Sequence, residues 1–246
     1  MRIQIALWAL ALCAGGCGGP PPPASGAATS TEPSPTPQAS GAHPATAQVS
    51  PVPSAAPAFR GRTSELVNPD NTTMVLLYFD LAGLPAPIDQ SLEDDMRVRM
   101  ARAPDKPAAR ELVRKELEAG LAGVGNVGTI RMSLHANLSE YDATYNEFTV
   151  RALAPSSIVE FKALGQKVAL KFGNARAAQV WRVPAAEAQA VRDRLGFAGD
   201  VSLDALLAIR DVHAAPEGGN ITVNVIEYEL RDNRSGNLLG RVQLAP

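Results

Sequence analysis

Past residue 58 the chain has two histidines, His135 and His213. They are the side chains best suited to proton transfer near neutral pH. A histidine beside a carboxylate can relay a proton or hold a metal. His135 falls on the polar side of an alternating stretch, with Arg131 and Ser133, and Glu140 and Asp142 follow shortly after. His135, His213, Glu140 and Asp142 are therefore the candidate catalytic residues. No recognised ligand spacing accompanies them, so a structural histidine is the plainer reading of both. Carboxylates also cluster at Glu93-Asp94-Asp95, which suits a helix N-terminus. Glu227 and Glu229 share one face of a strand, within reach of Arg231 or Arg241 across a hairpin. Two carboxylates can cleave a glycosidic bond, but linear spacing brings no pair to the needed separation.

Other motifs argue against familiar chemistry. Gly123-Val-Gly-Asn-Val-Gly128 spells G-x-G-x-x-G. A dinucleotide site needs a strand before that motif and a helix after it. Here the expected order is the reverse, and the glycines read as a helix-to-strand connection. Val168-Ala-Leu-Lys171 resembles a kinase strand lysine, but no H-R-D or D-F-G follows. G-x-S-x-G, S-x-x-K, H-E-x-x-H and the EF-hand loop are absent. No cysteine lies beyond residue 17, which removes thiol catalysis and thiolate metal sites from the domain. The expectation is no cofactor and no metal. Trp181, Tyr141, Tyr145 and Tyr228 are scarce aromatics in a chain with 5% of them, and core packing is their expected role.

The 246 residues carry 23 Lys+Arg against 25 Asp+Glu. That balance argues against nucleic acid as a partner. Both cysteines, Cys13 and Cys17, lie near the N-terminus. Arg2 precedes an apolar run from Ile3 to Cys13, and Ala14-Gly15-Gly16 leads into Cys17. The run has the length of a signal-peptide core and falls short of the ~20 residues of a membrane-spanning helix. Small residues leading into a cysteine resemble the lipobox of bacterial lipoproteins. Gly15 and Gly16 match it, and Ala14 stands where Leu is usual. Cys13 is the rival, with Leu10 at the favoured spot but bulky Leu12 before it. An ordinary cleaved signal peptide is the other alternative. The resemblance implies that residues 1–17 end in an acylated Cys17, the new N-terminus, and that several acyl chains anchor the protein. Gly18 after the cysteine implies the outer membrane. A bacterial host makes the glycosylation triplets at Asn71, Asn137, Asn220 and Asn233 chance matches.

Residues 18–58 hold eleven of the 20 prolines, with Ala, Ser, Thr and Gly making up most of the rest. Glu32 is the one Asp, Glu, Lys or Arg there. Such a segment cannot bury enough apolar surface to offset its ordering entropy. It reads as a disordered tether that reaches on the order of 130 Å at ~3.1 Å per residue when fully extended.

Residues 59–246 read as a single domain. Met74–Phe79 is a continuous apolar run that suits a buried strand. Ser91 and Asp94 resemble a capping box opening a helix from about Leu92 to Arg102. Pro107 suits the first turn of a helix carrying Leu112, Val113, Leu117 and Leu121. Strands are expected at Ile130–Ala136, Phe148–Val150 and Ile158–Phe161. Val168–Phe172 and Ala178–Val183 are expected to form a hairpin around Gly173-Asn174. Pro184–Leu195 reads as a helix capped by Gly196 in the left-handed conformation, with Phe197 folded back on it. Leu203–His213 fits either a helix or a strand. Ile221–Leu230 and Leu238–Leu244 read as a hairpin around Ser235-Gly236-Asn237. In the first of these strands the apolar set changes parity between Val225 and Ile226, which requires a bulge or strong twist. The expected class is α+β, with a mainly antiparallel curved sheet and two or three packed helices.

Two functions follow as expectations. The first is a lipid-anchored envelope protein whose domain binds or scaffolds an unknown envelope protein or glycan without catalysis. The second is an envelope hydrolase acting on glycan or peptide through dispersed residues. A pocket holding a histidine beside a carboxylate favours the second, and an open sheet edge favours the first.

Overall fold

A computed structural model describes residues 59, 61–196 and 199–244. The expectations placed on Cys17, the tether and Phe197 lie outside these residues. In chain order the elements begin with β1 (Ser64–Val67) and helices α1 (Asn71–Ala82), α2 (Ile88–Asp94), α3 (Met96–Met100) and α4 (Lys106–Val124). Strands β2 (Val127–Asn137) and β3 (Glu147–Thr149) follow, then a 3-10 turn at Arg151–Leu153. Next come β4 (Ile158–Ala163), β5 (Gln166–Phe172), α5 (Ala175–Ala178), β6 (Val180–Arg182) and α6 (Ala185–Leu195). The long strands β7 (Asp200–Ala215) and β8 (Gly218–Asp232) precede β9 (Leu238–Gln243).

The class is α+β. The main sheet runs β1-β2-β7-β8-β5-β4, and β9 also pairs with β8. It is mixed, since β1 joins β2 and β5 joins β8 in parallel while the remaining pairs are antiparallel. Most pairs are antiparallel, as expected, but the two parallel ones make the sheet mixed, and six helices among the described residues exceed the two or three expected.

The largest correction concerns Met74–Phe79, which is the middle of α1. Asp70 caps the helix by accepting from the Thr73 N–H at 2.7 Å, and Gly83 closes it at φ 64°. The Gly83 and Leu84 N–H groups bond back to Asp80 and Phe79. α1 packs against the sheet on one side and α4 on the other. Both sides need apolar residues, so the helical period disappears from the sequence. At the crossing, a Cβ on Gly120 would lie 2.8 Å from Leu76.

The Ser91 expectation also changes. The Ser91 hydroxyl donates to the Pro87 carbonyl from inside α2, and the expected helix 92–102 breaks at Asp95. Asp95 caps α3 by accepting from the Arg97 N–H at 2.7 Å. Leu92, Val98, Val113 and Leu117 form a small separate core among α2, α3 and α4.

The expected hairpin of 168–172 with 178–183 does not form. β5 turns instead through Leu164 and Gly165, both at positive φ, to pair with β4. That is the primed turn geometry natural to two-residue hairpins. β6 leaves for a separate two-stranded sheet with β3. Leu203–His213 is strand, and the β8–β9 hairpin forms as expected. Leu206 faces Glu227 and Leu207 faces Val225, so Ile226 is the bulged residue that the parity change requires. With it, Val223, Val225, Tyr228 and Leu230 are all buried. Gly196 has the expected positive φ of 61°, but its ψ of -159° is not the left-handed helical conformation.

One side of β8 is occupied by β7 throughout. Its other side is shared by β5 over Gly218–Val223 and β9 over Glu227–Arg231. Asn174 fills the gap between them. Its amide donates to the Val225 carbonyl at 2.8 Å, and the Val225 N–H donates to its Oδ1 at 2.9 Å. A side chain thus carries the ladder past the bulge.

Candidate functional site

An open groove of about 700 Å³ lies where the end of β2, the loop after it, the 3-10 turn and the C-terminal half of α6 meet. The loop is fixed by its own backbone. Leu138 N–H donates to the Gly199 carbonyl at 2.9 Å, and Ser139 N–H to that of Thr149 at 2.9 Å. Asp142 and Glu147 exchange backbone hydrogen bonds. The Asp142 carboxylate accepts from the Thr144 N–H at 2.8 Å and lies 3.3 Å from the Tyr145 nitrogen. Asp142 is therefore a turn-forming side chain.

Glu140 and Arg151 line the groove, as do Gln189, Arg192 and Asp193 of α6. Those three helix residues are joined: Gln189 donates to Asp193 at 2.6 Å and accepts from Arg192. The Arg192 guanidinium sits 5.9 Å from the Tyr141 ring centroid, within cation–π range. The Tyr141 hydroxyl lies 3.0 Å from Asn146 Oδ1 and 2.9 Å from the Val183 carbonyl. Its ring packs on Phe148 at 5.1 Å, and Phe148 stacks on Trp181 at 5.4 Å. The floor of the groove is thus aromatic and its walls carry both charges.

The structure brings one candidate, Glu140, into this groove, and not His135, His213 or Asp142. His135 is exposed near the end of β2, with its Nε2 3.6 Å from Asp200. It pairs in register with Ser202 at the start of β7, whereas His213 lies near the far end of that strand. At ~3.3 Å per residue the two histidines are separated by roughly 35 Å. They cannot serve one site.

Four of the other clustered carboxylates have structural partners. Glu93 pairs with Arg110 at 2.8 Å, and Asp95 caps α3. Glu229 accepts from Arg241 and Arg231, whose hydrogen bonds hold its carboxyl below its ordinary value. Glu227 lies 3.8 Å from Arg131. Tyr228 is buried with no hydrogen-bond partner for its hydroxyl among the described residues, and burial raises its pKa. Trp181 is buried, as expected of a core aromatic, and Tyr145 is 67% exposed.

The glycine motif ends α4 and opens β2, the order expected of a connection. A Cβ on Gly128 would lie 2.4 Å from the Arg62 carbonyl oxygen, so that glycine serves chain packing. Among the described residues, no group of three or more His, Cys, Asp or Glu is gathered to hold a metal. No described helix is long and apolar enough to cross a membrane. Arg151, Gln189, Arg192 and Asp193 carry no sequence signal, because each reads as an ordinary solvated side chain. Only the placement of α6 beside the loop after β2 gathers them.

No family model, no curated protein and no solved structure matches the chain.

Proposed function

We propose that this is a cell-envelope lipoprotein, anchored through an acylated Cys17, probing its surroundings with a binding domain on the tether 18–58. Outer-membrane placement follows from Gly18. The domain recognises a protein or glycan of the envelope and catalyses no reaction. The observation that carries the binding reading is the groove beside α6, which combines two aromatic side chains with amides, guanidiniums and carboxylates. Such a lining suits recognition of a polar ligand. The histidines lie apart from it and from each other.

The test has two arms. Labelling cells with a clickable fatty acid is expected to mark the wild-type chain and to leave Cys17→Ala unmarked and released from the membrane. Unchanged membrane association of that variant overturns the anchor. A photo-crosslinking residue at Gln189 in the full chain is expected to give a discrete envelope adduct that Arg151→Glu with Arg192→Glu abolishes. Failure to form any adduct counts against the binding reading.

One observation favours a second reading. Glu140 and Asp193 line the same groove, and a carboxylate pair is the machinery of glycoside cleavage. Turnover of envelope glycan that disappears in both Glu140→Gln and Asp193→Asn would replace binding by hydrolysis.

A further inference from the structure

Among the described residues, two strands that border the same slot each keep one edge without a backbone partner. β9 pairs with β8 alone, and β6 with β3 alone. In an antiparallel ladder, successive residues alternate between turning both backbone groups toward the partner strand and turning both away. Leu244 N–H donates to the Ile226 carbonyl at 2.8 Å. The register Glu227 to Gln243 continues from it, so Val242 and Gly240 face β8 while Arg241 and Gln243 turn N–H and C=O outward. On the other strand, Val150 N–H donates to the Gln179 carbonyl at 2.7 Å and Val183 N–H to that of Asn146 at 2.9 Å. Trp181 therefore faces β3, while Val180 and Arg182 turn outward. Val180, Arg182, Arg241 and Gln243 all line one slot of about 540 Å³.

The charge of this slot is one-sided. Arg176 joins Arg182 and Arg241 in its lining, and no carboxylate does. Arg241 bonds Glu229, Arg182 lies 3.8 Å from Glu147, and Arg176 has no ion pair among the described residues. The Trp181 ring lies against Gly240, where a Cβ would come within 2.6 Å of it.

We propose that the slot receives an extended acidic segment of a partner protein, which adds to the free edge of β9 and sets alternate carboxylates among Arg176, Arg182 and Arg241. This rests on the reading of the domain as a binding module. Strand addition draws affinity from backbone hydrogen bonds and selectivity from alternate side chains. The free edges offer the first and the arginines the second. The chain's own tether does not fit, because residues 18–58 hold eleven prolines and one acid, Glu32. A second copy would bring its own three arginines against these, which disfavours edge-to-edge pairing.

The test titrates the isotope-labelled full-length chain, in detergent micelles, with the capped peptide TEVEVET. Saturable binding is expected, with amide shifts centred on Val180, Arg182, Arg241 and Gln243. Arg176→Glu with Arg182→Glu is expected to weaken it roughly tenfold or more. Arg182 is 81% exposed in its side chain, and Glu147 lies opposite it in the ladder. Arg176→Gln with Arg182→Gln is therefore the second variant, expected to weaken binding in the same direction without setting two carboxylates face to face. Methylating alternate backbone nitrogens of the peptide keeps its carboxylates but removes strand donors, and is expected to weaken binding as much. The proposal is overturned if TKVKVKT binds as tightly, if the methylated peptide binds like its parent, or if no saturable binding occurs at millimolar peptide. Self-association through β9 in place of peptide binding also overturns it. Loss of the Gln189 adduct strikes the binding reading, whereas loss of the peptide response alone strikes the slot.

Discussion

Removing the carboxamide of Asn174 would leave both backbone groups of Val225 without their partner, at a residue that is 1% exposed. A buried backbone group left unsatisfied costs ~1–3 kcal/mol. Asn174→Ala is expected to lower unfolding free energy by about 2 kcal/mol or more in a urea titration. A change within error would show that β8 passes its bulge without this support. Tyr228 presents the opposite case, a buried hydroxyl without a partner among the described residues. Tyr228→Phe is expected to leave stability unchanged or raise it by up to about 1 kcal/mol, and a clear loss in the same assay would reveal a partner for the hydroxyl. Neither role is legible in the sequence. Asn174 reads as a turn residue, because a side chain that mimics a strand looks locally like any other turn asparagine. Asp142 was legible as a carboxylate near His135, yet its oxygens serve its own loop.

Strand β8 was the most legible element, because its parity change at Ile226 has one physical meaning for a half-buried strand. Deleting Ile226 would remove the bulge and leave Val223, Val225, Tyr228 and Leu230 on one face of a regular strand. The deletion is therefore expected to keep the cooperative urea transition and the near-ultraviolet circular dichroism. Loss of the transition would show that the bulge itself, and not only the parity it restores, is required. α1 was the least legible element. A helix covered on both sides shows no period, and six apolar residues suit either structure. The better guides were its ends, Asp70 and Gly83, which cap a twelve-residue helix too long for the expected strand. The missed hairpin has a different cause. Gly173-Asn174 does interrupt the chain, but it leads into α5, and β5 finds its second partner in β8, far along the sequence. Proximity in sequence favours pairing without requiring it.

At the scale of the whole molecule, several carboxylates among the described residues are held in the charged state. Asp70, Asp95 and Asp232 accept backbone or side-chain hydrogen bonds that hold them below the ordinary 3.8, and Glu229 is held below 4.5 by Arg241 and Arg231. A carboxyl with a lowered folded pKa stabilises the fold above its unfolded value and loses that contribution as pH falls through the folded one. The melting temperature is expected to stay level from neutrality down to about pH 5 and to fall below about pH 4. A fall beginning near pH 6 would show that these carboxylates do not set the acid limit of the fold. The α+β class was legible at this scale because helical and alternating stretches follow one another along the chain. The groove was not, because it joins α6 to a loop some forty residues earlier, and no local rule links them. Trp181 belongs to both concavities' surroundings: it stacks on Phe148 of the groove and lines the slot against Gly240. The only other tryptophan is Trp8. On the proposal that the chain is cleaved before Cys17, all indole emission comes from one fluorophore set between the two surfaces, and its wavelength and quenching give a label-free optical record of occupancy on either side.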